Sequence, residues 1–279
     1  MFFTDDDTLA RMLKEDLPNG DLTTRSLGIG LRDAYLTMRA RNDMTVCASE
    51  EAARMFGLLG VETELLCSSG TEVAAGRPIL TATGTADAIF AGWKVAQTLM
   101  EWASGVATSA ARLVAAARAG NPATIVACTR KPVPGTRALS LKAVVAGGAA
   151  IHRTGLSDTV LLFPEHRAFG GPEGLGLQID RLRRLCPERR IVVEVGSLED
   201  ALLAADRGAD VVQLEKFAPG DVAATAAALG PDWPGTLAAA GGVSEANARD
   251  YAASGAHVLV TSSPYYARPS DVAVTIAAG

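Results

Sequence analysis

Aromatic rings, paired cysteines, long apolar runs and an excess of positive charge are all scarce in this chain, and each scarcity excludes a class of protein. Only 5% of the 279 residues are aromatic while 48% are hydrophobic. The core must therefore be built from Ala, Val, Leu and Ile, which suits helix–sheet packing because small side chains let elements approach closely. Cys47, Cys67, Cys128 and Cys186 form no CxxC, and no histidine cluster accompanies them. This excludes a structural zinc set and a disulfide framework, and scattered thiols fit a reducing cytosol. Gly or charge breaks each apolar run well short of the roughly 20 residues a membrane helix needs. The first residues, MFFTDDDTLARMLKEDL, are acidic and lack the basic region and apolar run of a signal peptide. The formal net charge of -5 argues against nucleic acid as the main partner. The expectation is a cytoplasmic protein with neither a membrane nor a nucleic-acid partner.

What is present divides into two patterns. Residues 1–107 mix short alternating segments (Ala34–Ala40, Thr45–Ala48, Glu62–Cys67, Ile79–Gly84) with helical stretches. The longest helical stretch starts near Asp87 and carries Trp93, Ala96, Leu99, Met100 and Ala103 at helix spacing. An α/β sandwich domain with an antiparallel sheet is expected there. Residues 108–264 instead carry continuous apolar runs at Thr124–Cys128, Thr159–Phe163, Ile191–Val195, Asp210–Leu214, Thr236–Ala240 and His257–Thr261. Helix-length segments separate them, as in parallel βα units buried on both faces. Ser197 with Asp200 forms a capping box and Gly208 a stop; Ser244 and Gly255 are read the same way for a later helix. So many units favour a parallel α/β barrel, although a doubly wound sheet shows the same pattern. The tail 265–279 is expected to pack on the first domain.

In a parallel barrel the carboxyl ends of the strands line the site. Residues Thr129, Arg130 and Lys131 follow the first run, Glu194 ends the third and Glu215 follows the fourth. Gly241 and Gly242 follow the fifth run, and Ser262 and Ser263 the sixth. Basic, acidic and Gly/Ser groups thus converge, which suits a substrate carrying phosphates and a divalent cation. The positive set Arg130, Lys131, Arg137, Lys142, His152 and Arg153 includes the loop CTRKPVPGTR, which reads equally well as a solvated loop. The arginines from Arg181 to Arg190 read as the outer face of a helix. Glu194 interrupts the apolar run IVVEVG, where an unpartnered carboxylate is costly. Glu215 beside Lys216 is as readily a strand-end ion pair. The turn AAAGGV offers backbone N–H groups to a phosphate, with Thr261, Ser262 and Ser263 as hydroxyl donors beside it. His166 and His257 are read as structural.

The segments EDLPNGDLTT (Glu15–Thr24), ASGVAT (Ala103–Thr108), TRKPVPGTRALSLKAVVAGGAAIHRTGLSD (Thr129–Asp158), VEV (Val193–Val195) and AGGV (Ala240–Val243) run in order along nearly the whole chain. Together they resemble the quinolinate phosphoribosyltransferase family, also called nicotinate-nucleotide pyrophosphorylase. WKVAQTLMEWASGVAT, HRTGLSDTVLLFPEHRAF and VTSSPYYA look most like its ModD branch, named for molybdate-transport genes. The resemblance implies an N-terminal sandwich and a C-terminal barrel of the type II phosphoribosyltransferase kind. It also implies a homodimer, or higher assembly, whose sites borrow residues from the neighbouring subunit. The reaction it implies joins a pyridine-acid nitrogen to C1 of phosphoribosyl pyrophosphate (PRPP), with Mg²⁺, and releases pyrophosphate.

Carried over residue by residue, the resemblance places Arg130, Lys131, His152 and Arg153 around the acid substrate and PRPP. Lys142 matches a motif lysine that would stabilise phosphate charge. Glu194 and Glu215 would hold the ribose hydroxyls, directly or through Mg²⁺, with Glu215 replacing the usual Asp. Gly241 and Gly242 match the phosphate turn, and Ala240 stands where Ser is common. Lys94 matches the arginine contributed by the neighbouring subunit. Phe163 departs most: LLFPEH stands in place of LIKDNH, so a pocket lysine is lost, and Glu165 adds repulsion toward a diacid. An acceptor ring with one carboxylate or none is therefore expected. The rival readings are a true quinolinate enzyme of NAD biosynthesis that tolerates Phe163, and a non-catalytic nucleotide- or oxyanion-binding protein linked to molybdenum transport.

Overall fold

The computed structural model describes residues 4–170 and 174–279. In chain order come helices α1 (Asp6–Asp16) and α2 (Leu22–Leu27), strands β1 (Asp33–Ala40) and β2 (Met44–Thr45), and helix α3 (Ser49–Leu58). Strands β3 (Glu62–Leu65), β4 (Glu72–Val73) and β5 (Pro78–Thr85) lead into the long helix α4 (Ala86–Gly120). Next are β6 (Ile125–Cys128), α5 (Arg137–Ala146), β7 (Ala150–Ile151), β8 (Val160–Leu162), α6 (Pro164–Arg167) and α7 (Gly174–Leu185). Then β9 (Ile191–Val195), α8 (Leu198–Asp206), β10 (Val211–Glu215), α9 (Pro219–Leu229), β11 (Thr236–Ala240), α10 (Ala248–Ala253) and β12 (Val258–Thr261) alternate. Strand β13 (Val272–Ala278) follows.

The chain forms two compact units. One holds the residues up to Ala111, Pro132–Gly148 and Pro264–Gly279. Its antiparallel sheet has the order β13-β1-β5-β3. In β1 the residues Ala34, Leu36, Met38 and Ala40 are buried while Asp33, Tyr35 and Arg39 are exposed, the period-two alternation of a sheet with one covered face. The last strand pairs with the first, Ala34 opposite Ala278 and Ala40 opposite Val272. Residues Pro132–Gly148, which carry α5, lie within the span read from sequence as barrel but cluster with this unit.

The other unit holds Arg112–Lys131 and Ala149–Ser263. Its seven strands are all parallel, in the order β7-β6-β12-β11-β10-β9-β8. All six apolar runs read from the sequence are strands, and β7, with two residues, is the seventh. Consecutive strands are neighbours from β8 to β12, and β12 then pairs with β6. That wrap-around belongs to a barrel and not to a doubly wound sheet, whose order reverses part-way. The ladder stays open between β7 and β8, so the result is a half-barrel with every strand's carboxyl end on one side. Ser197 caps α8 as expected, its side chain accepting from the Asp200 amide. Ser244 does not cap α10, which starts three residues later than that reading requires, after Asn247. No described helix is long and apolar enough to cross a membrane.

Candidate active site

The carboxyl ends of the half-barrel strands surround a cavity of about 610 Å³. Each strand contributes at its end, where a side chain can leave the packed interior without breaking the ladder. Past β6 come Thr129, Arg130 and Lys131; past β7, His152 and Arg153; past β8, Phe163. Glu194 comes from β9, Gln213 and Glu215 from β10, Ala240 to Ser244 from the end of β11, and Thr261 to Ser263 from β12. Of the expected site residues, all but Lys94 and Lys142 line this one cavity.

One wall is cationic. Arg153 is buried, and its guanidinium lies 5.9 Å from the centroid of the Phe163 ring. Burial, and after it the charge of Arg130, push the Arg153 guanidinium down from its ordinary value. It remains charged, since arginine does not deprotonate in proteins. Burial and then the charge of Arg153 push His152 down, while Gln213 acts the other way, so the imidazole is neutral at pH 7. Phe163 stacks on His166 at 5.7 Å, and its backbone N–H donates to His166 Nδ1 at 3.0 Å. His166 is thus structural, as read.

The opposite wall is acidic. Glu194 Oε2 accepts from Gln213 Nε2 at 2.7 Å. Burial pushes the Glu194 carboxyl up, the Gln213 hydrogen bond opposes this, and the charges of Glu215 and Glu165 raise it further. A carboxylate crowded by two others is a place where a cation or a set of hydroxyl donors lowers the energy. No group of three metal-ligating side chains occurs among the described residues. The two acids therefore do not form a protein cage for a metal. As a pair they would suit Mg²⁺, an ion commonly held by one or two carboxylates with the rest of its ligands supplied from outside the protein.

Between the walls lies the β11 turn. Gly241 and Gly242 have φ of +83° and +85°, the left-handed region that favours glycine. A Cβ on Gly241 would come within 2.7 Å of Lys216 Cγ, 2.9 Å of the Lys216 backbone nitrogen and 3.0 Å of Glu215 Oε1. Lys216 itself takes φ +62° and donates its N–H to Ala240 O at 2.7 Å, so the two strand ends are locked together. Gly241→Ala is expected to destabilise the protein by about 1–3 kcal/mol, read as a lowered midpoint in urea unfolding. Asn247 holds the turn from the other side, donating from Nδ2 to Gly242 O at 3.0 Å and accepting at Oδ1 from Ser244 N at 2.8 Å. The Thr261 hydroxyl is spent within the fold, on Val243 O at 2.7 Å and with Ser263 N at 3.1 Å. It braces the turn, and Ser262 and Ser263 line the cavity beside it.

Sequence models of the quinolinate phosphoribosyl transferase N-terminal and C-terminal domains match residues 21–104 and 106–275. The chain belongs to this family. It is 61% identical over 248 residues to the ModD protein of Rhodobacter capsulatus, covering 89% of this chain and 96% of that one. It is 29% identical over 252 residues to the human nicotinate-nucleotide pyrophosphorylase, covering 90% and 83%. In three dimensions it is similar to the nicotinate-nucleotide pyrophosphorylase of Francisella tularensis, with a TM-score of 0.90, 22% identity and coverage of 99% and 98%.

Two lysines that the quinolinate phosphoribosyl transferase resemblance singled out lie in the other unit. Lys94 is on α4, its Nζ 4.0 Å from the Trp93 ring centroid and 2.9 Å from Gln97 Oε1. Lys142, on α5, does not line the cavity. Its ammonium is held by Glu51 Oε2 at 2.6 Å and Glu50 Oε2 at 2.9 Å. These ion pairs give it a structural part in its own unit, beside the phosphate role that the resemblance implies. Gln213 and Asn247 were missed. Gln213 had a readable signal, a polar residue inside an apolar run, the same signal that singled out Glu194. Asn247 had none.

Proposed function

We propose that this protein transfers the phosphoribosyl group of PRPP to a ring nitrogen of a heteroaromatic acceptor, releasing pyrophosphate, and that Phe163 has retuned the acceptor pocket. The observation that carries this reading is the single cavity lined by Arg130, Lys131 and Arg153, by Glu194 and Glu215, and by the Gly241–Gly242 turn. The acceptor lone pair forms the new C1–N bond as the C1–O bond to pyrophosphate breaks, and the electron pair leaves with pyrophosphate. Catalysis of such a transfer is positional and electrostatic. The cationic wall and the β11 turn bind the phosphates and the leaving group. Glu194 and Glu215 accept from the ribose hydroxyls and place negative charge near the oxocarbenium-like C1. Mg²⁺ bound with the pyrophosphate would neutralise part of its charge. In this reading the protein is a homodimer in which Lys94 of each copy serves the other's cavity.

Phe163 decides the acceptor. A pyridine diacid needs a cation for each carboxylate, and the phenyl ring offers none. The missing charge-assisted hydrogen bond is worth about 1.5–3 kcal/mol, and Glu165 adds negative charge nearby. An acceptor with one carboxylate or none is favoured over quinolinate. Mass-spectrometric detection of pyrophosphate and ribosylated products across a panel of heteroaromatic acids tests both parts. No product from any acceptor would sink the transferase reading. Nicotinate mononucleotide formed from quinolinate as fast as any other product would sink the role of Phe163. Phe163→Lys is expected to raise kcat/KM for quinolinate about tenfold, the lower end of the range that one such bond allows.

A further inference from the structure

Gln213 lies on β10, directly beside Glu194 on β9. Its side chain is enclosed, with the residue 3% exposed, and its amide nitrogen donates to Glu194 Oε2 at 2.7 Å. An ionised carboxylate only accepts hydrogen bonds, so this contact fixes which end of the carboxamide faces Glu194. The oxygen must then point the other way. Oε1 is buried there and meets no donor in hydrogen-bond geometry. Buried carboxamide oxygens are rarely left so, and an orphan at a site calls for a partner. His152 shares the cavity lining with Gln213, and Gln213 acts on the imidazole in the direction of its protonated form.

A neutral imidazole carries one N–H and one lone pair. We propose that Gln213 is a positioning residue whose Oε1 takes the His152 N–H, so that the other ring nitrogen presents a lone pair to the acceptor. This deepens the transferase reading and rests on it. The wall beside Phe163 then offers a hydrogen-bond acceptor and not a second cation. The substrate class it selects is a heteroaromatic ring with an N–H or O–H donor on that edge, such as a hydroxy- or oxo-substituted ring acid. Through the same carboxamide, the orientation of His152 is tied to that of Glu194 on the ribose side.

Two measurements on the full-length protein test this. Imidazole ¹⁵N shifts, assigned with His152→Asn, are expected to show one neutral tautomer for His152 in the wild type and a mixture in Gln213→Leu. Matched ring acids with and without the adjacent hydroxyl are expected to differ at least tenfold in kcat/KM with the wild type. That ratio should collapse toward one in Gln213→Leu, whereas a merely structural loss would lower both rates and leave the ratio unchanged. A mixed tautomer in the wild type, or a ratio unaltered by the substitution, overturns the inference while transferase activity stands. A single tautomer lost in Gln213→Leu, without pyrophosphate release from any acceptor, keeps the coupling of Gln213 to His152 and removes both the transferase reading and the substrate class built on it.

Discussion

Glu194→Gln is expected to lower kcat about 100-fold while leaving the unfolding temperature unchanged or higher. Glu194 ends β9 facing the cavity, where its charge is resisted by burial and by the nearby Glu215 and Glu165. An acid whose folded pKa is raised binds its proton more tightly folded than unfolded. Stability then falls as pH rises from the unfolded value through the folded one, and at neutral pH the ionised group is a cost. Glutamine has the same shape, and its Oε1 still accepts the hydrogen bond that Gln213 Nε2 makes to Glu194. Its introduction removes the charge and keeps the packing. On the proposed transferase reading, what is lost is negative charge near C1, which counts most in the transition state, and a strong acceptor for the ribose hydroxyls. Steady-state kinetics paired with thermal unfolding at pH 7 check the prediction. A large fall in stability, or an unchanged kcat, removes Glu194 from the catalytic machinery.

The parts of this fold that could be read in the sequence are those whose burial is two-sided. The runs from Thr124 to Thr261 are continuous and apolar because strands of a parallel sheet touch packing on both faces. Their carboxyl ends therefore carried most of the site with them, including Arg130, Glu194, Glu215 and Gly241. Strand β7 could not be read, since two residues define no period. The break placed at residue 107 coincides with no end of an element. Helix α4 runs on to Gly120, and the Gly105 within it marks no helix end. A Cβ there would lie 2.3 Å from Arg268 O, so this glycine admits the returning C-terminal segment. His152 and Arg153 follow no strong run and stood out only by their charge, while Phe163 closes an apolar run and gained its significance only from the family resemblance. Lys142 gave no sign of its ion pairs, because charge alone does not distinguish a ligand from an ion-pair partner. Its partners, Glu50 and Glu51, lie more than 90 residues away in sequence.

Lys142→Met should cost about 3–5 kcal/mol of stability, the largest loss expected from any single substitution considered. Glu51 is nearly buried, with 5% of its side chain exposed against 17% for Lys142. Removing the ammonium strands two carboxylates at the start of α3. The surroundings are built around that pair: Glu50 also accepts from Ser69 N at 2.8 Å and Ser69 Oγ at 2.5 Å. Ser69 Oγ accepts from Ala48 N at 3.0 Å, and Ala48 is a non-glycine residue at φ +63° that opens the helix. Burial pushes Glu50 up, but the hydrogen bonds from Ser69 and Lys142 outweigh it and bring the carboxyl down to about 2. Burial likewise opposes the Lys142 charge, and Glu51 and Glu50 more than compensate, leaving its pKa raised. The stability tied to Glu50 is therefore full above its unfolded value and disappears as pH falls toward 2. The part tied to Lys142 is full below its unfolded value and disappears as pH rises through the raised one. Urea unfolding of Lys142→Met at pH 7 measures the loss, and adding Glu50→Gln and Glu51→Gln should recover much of it. A variant that keeps its stability but loses turnover would instead favour the phosphate role proposed for Lys142, because an ammonium that the fold can spare has to be accounted for by the substrate.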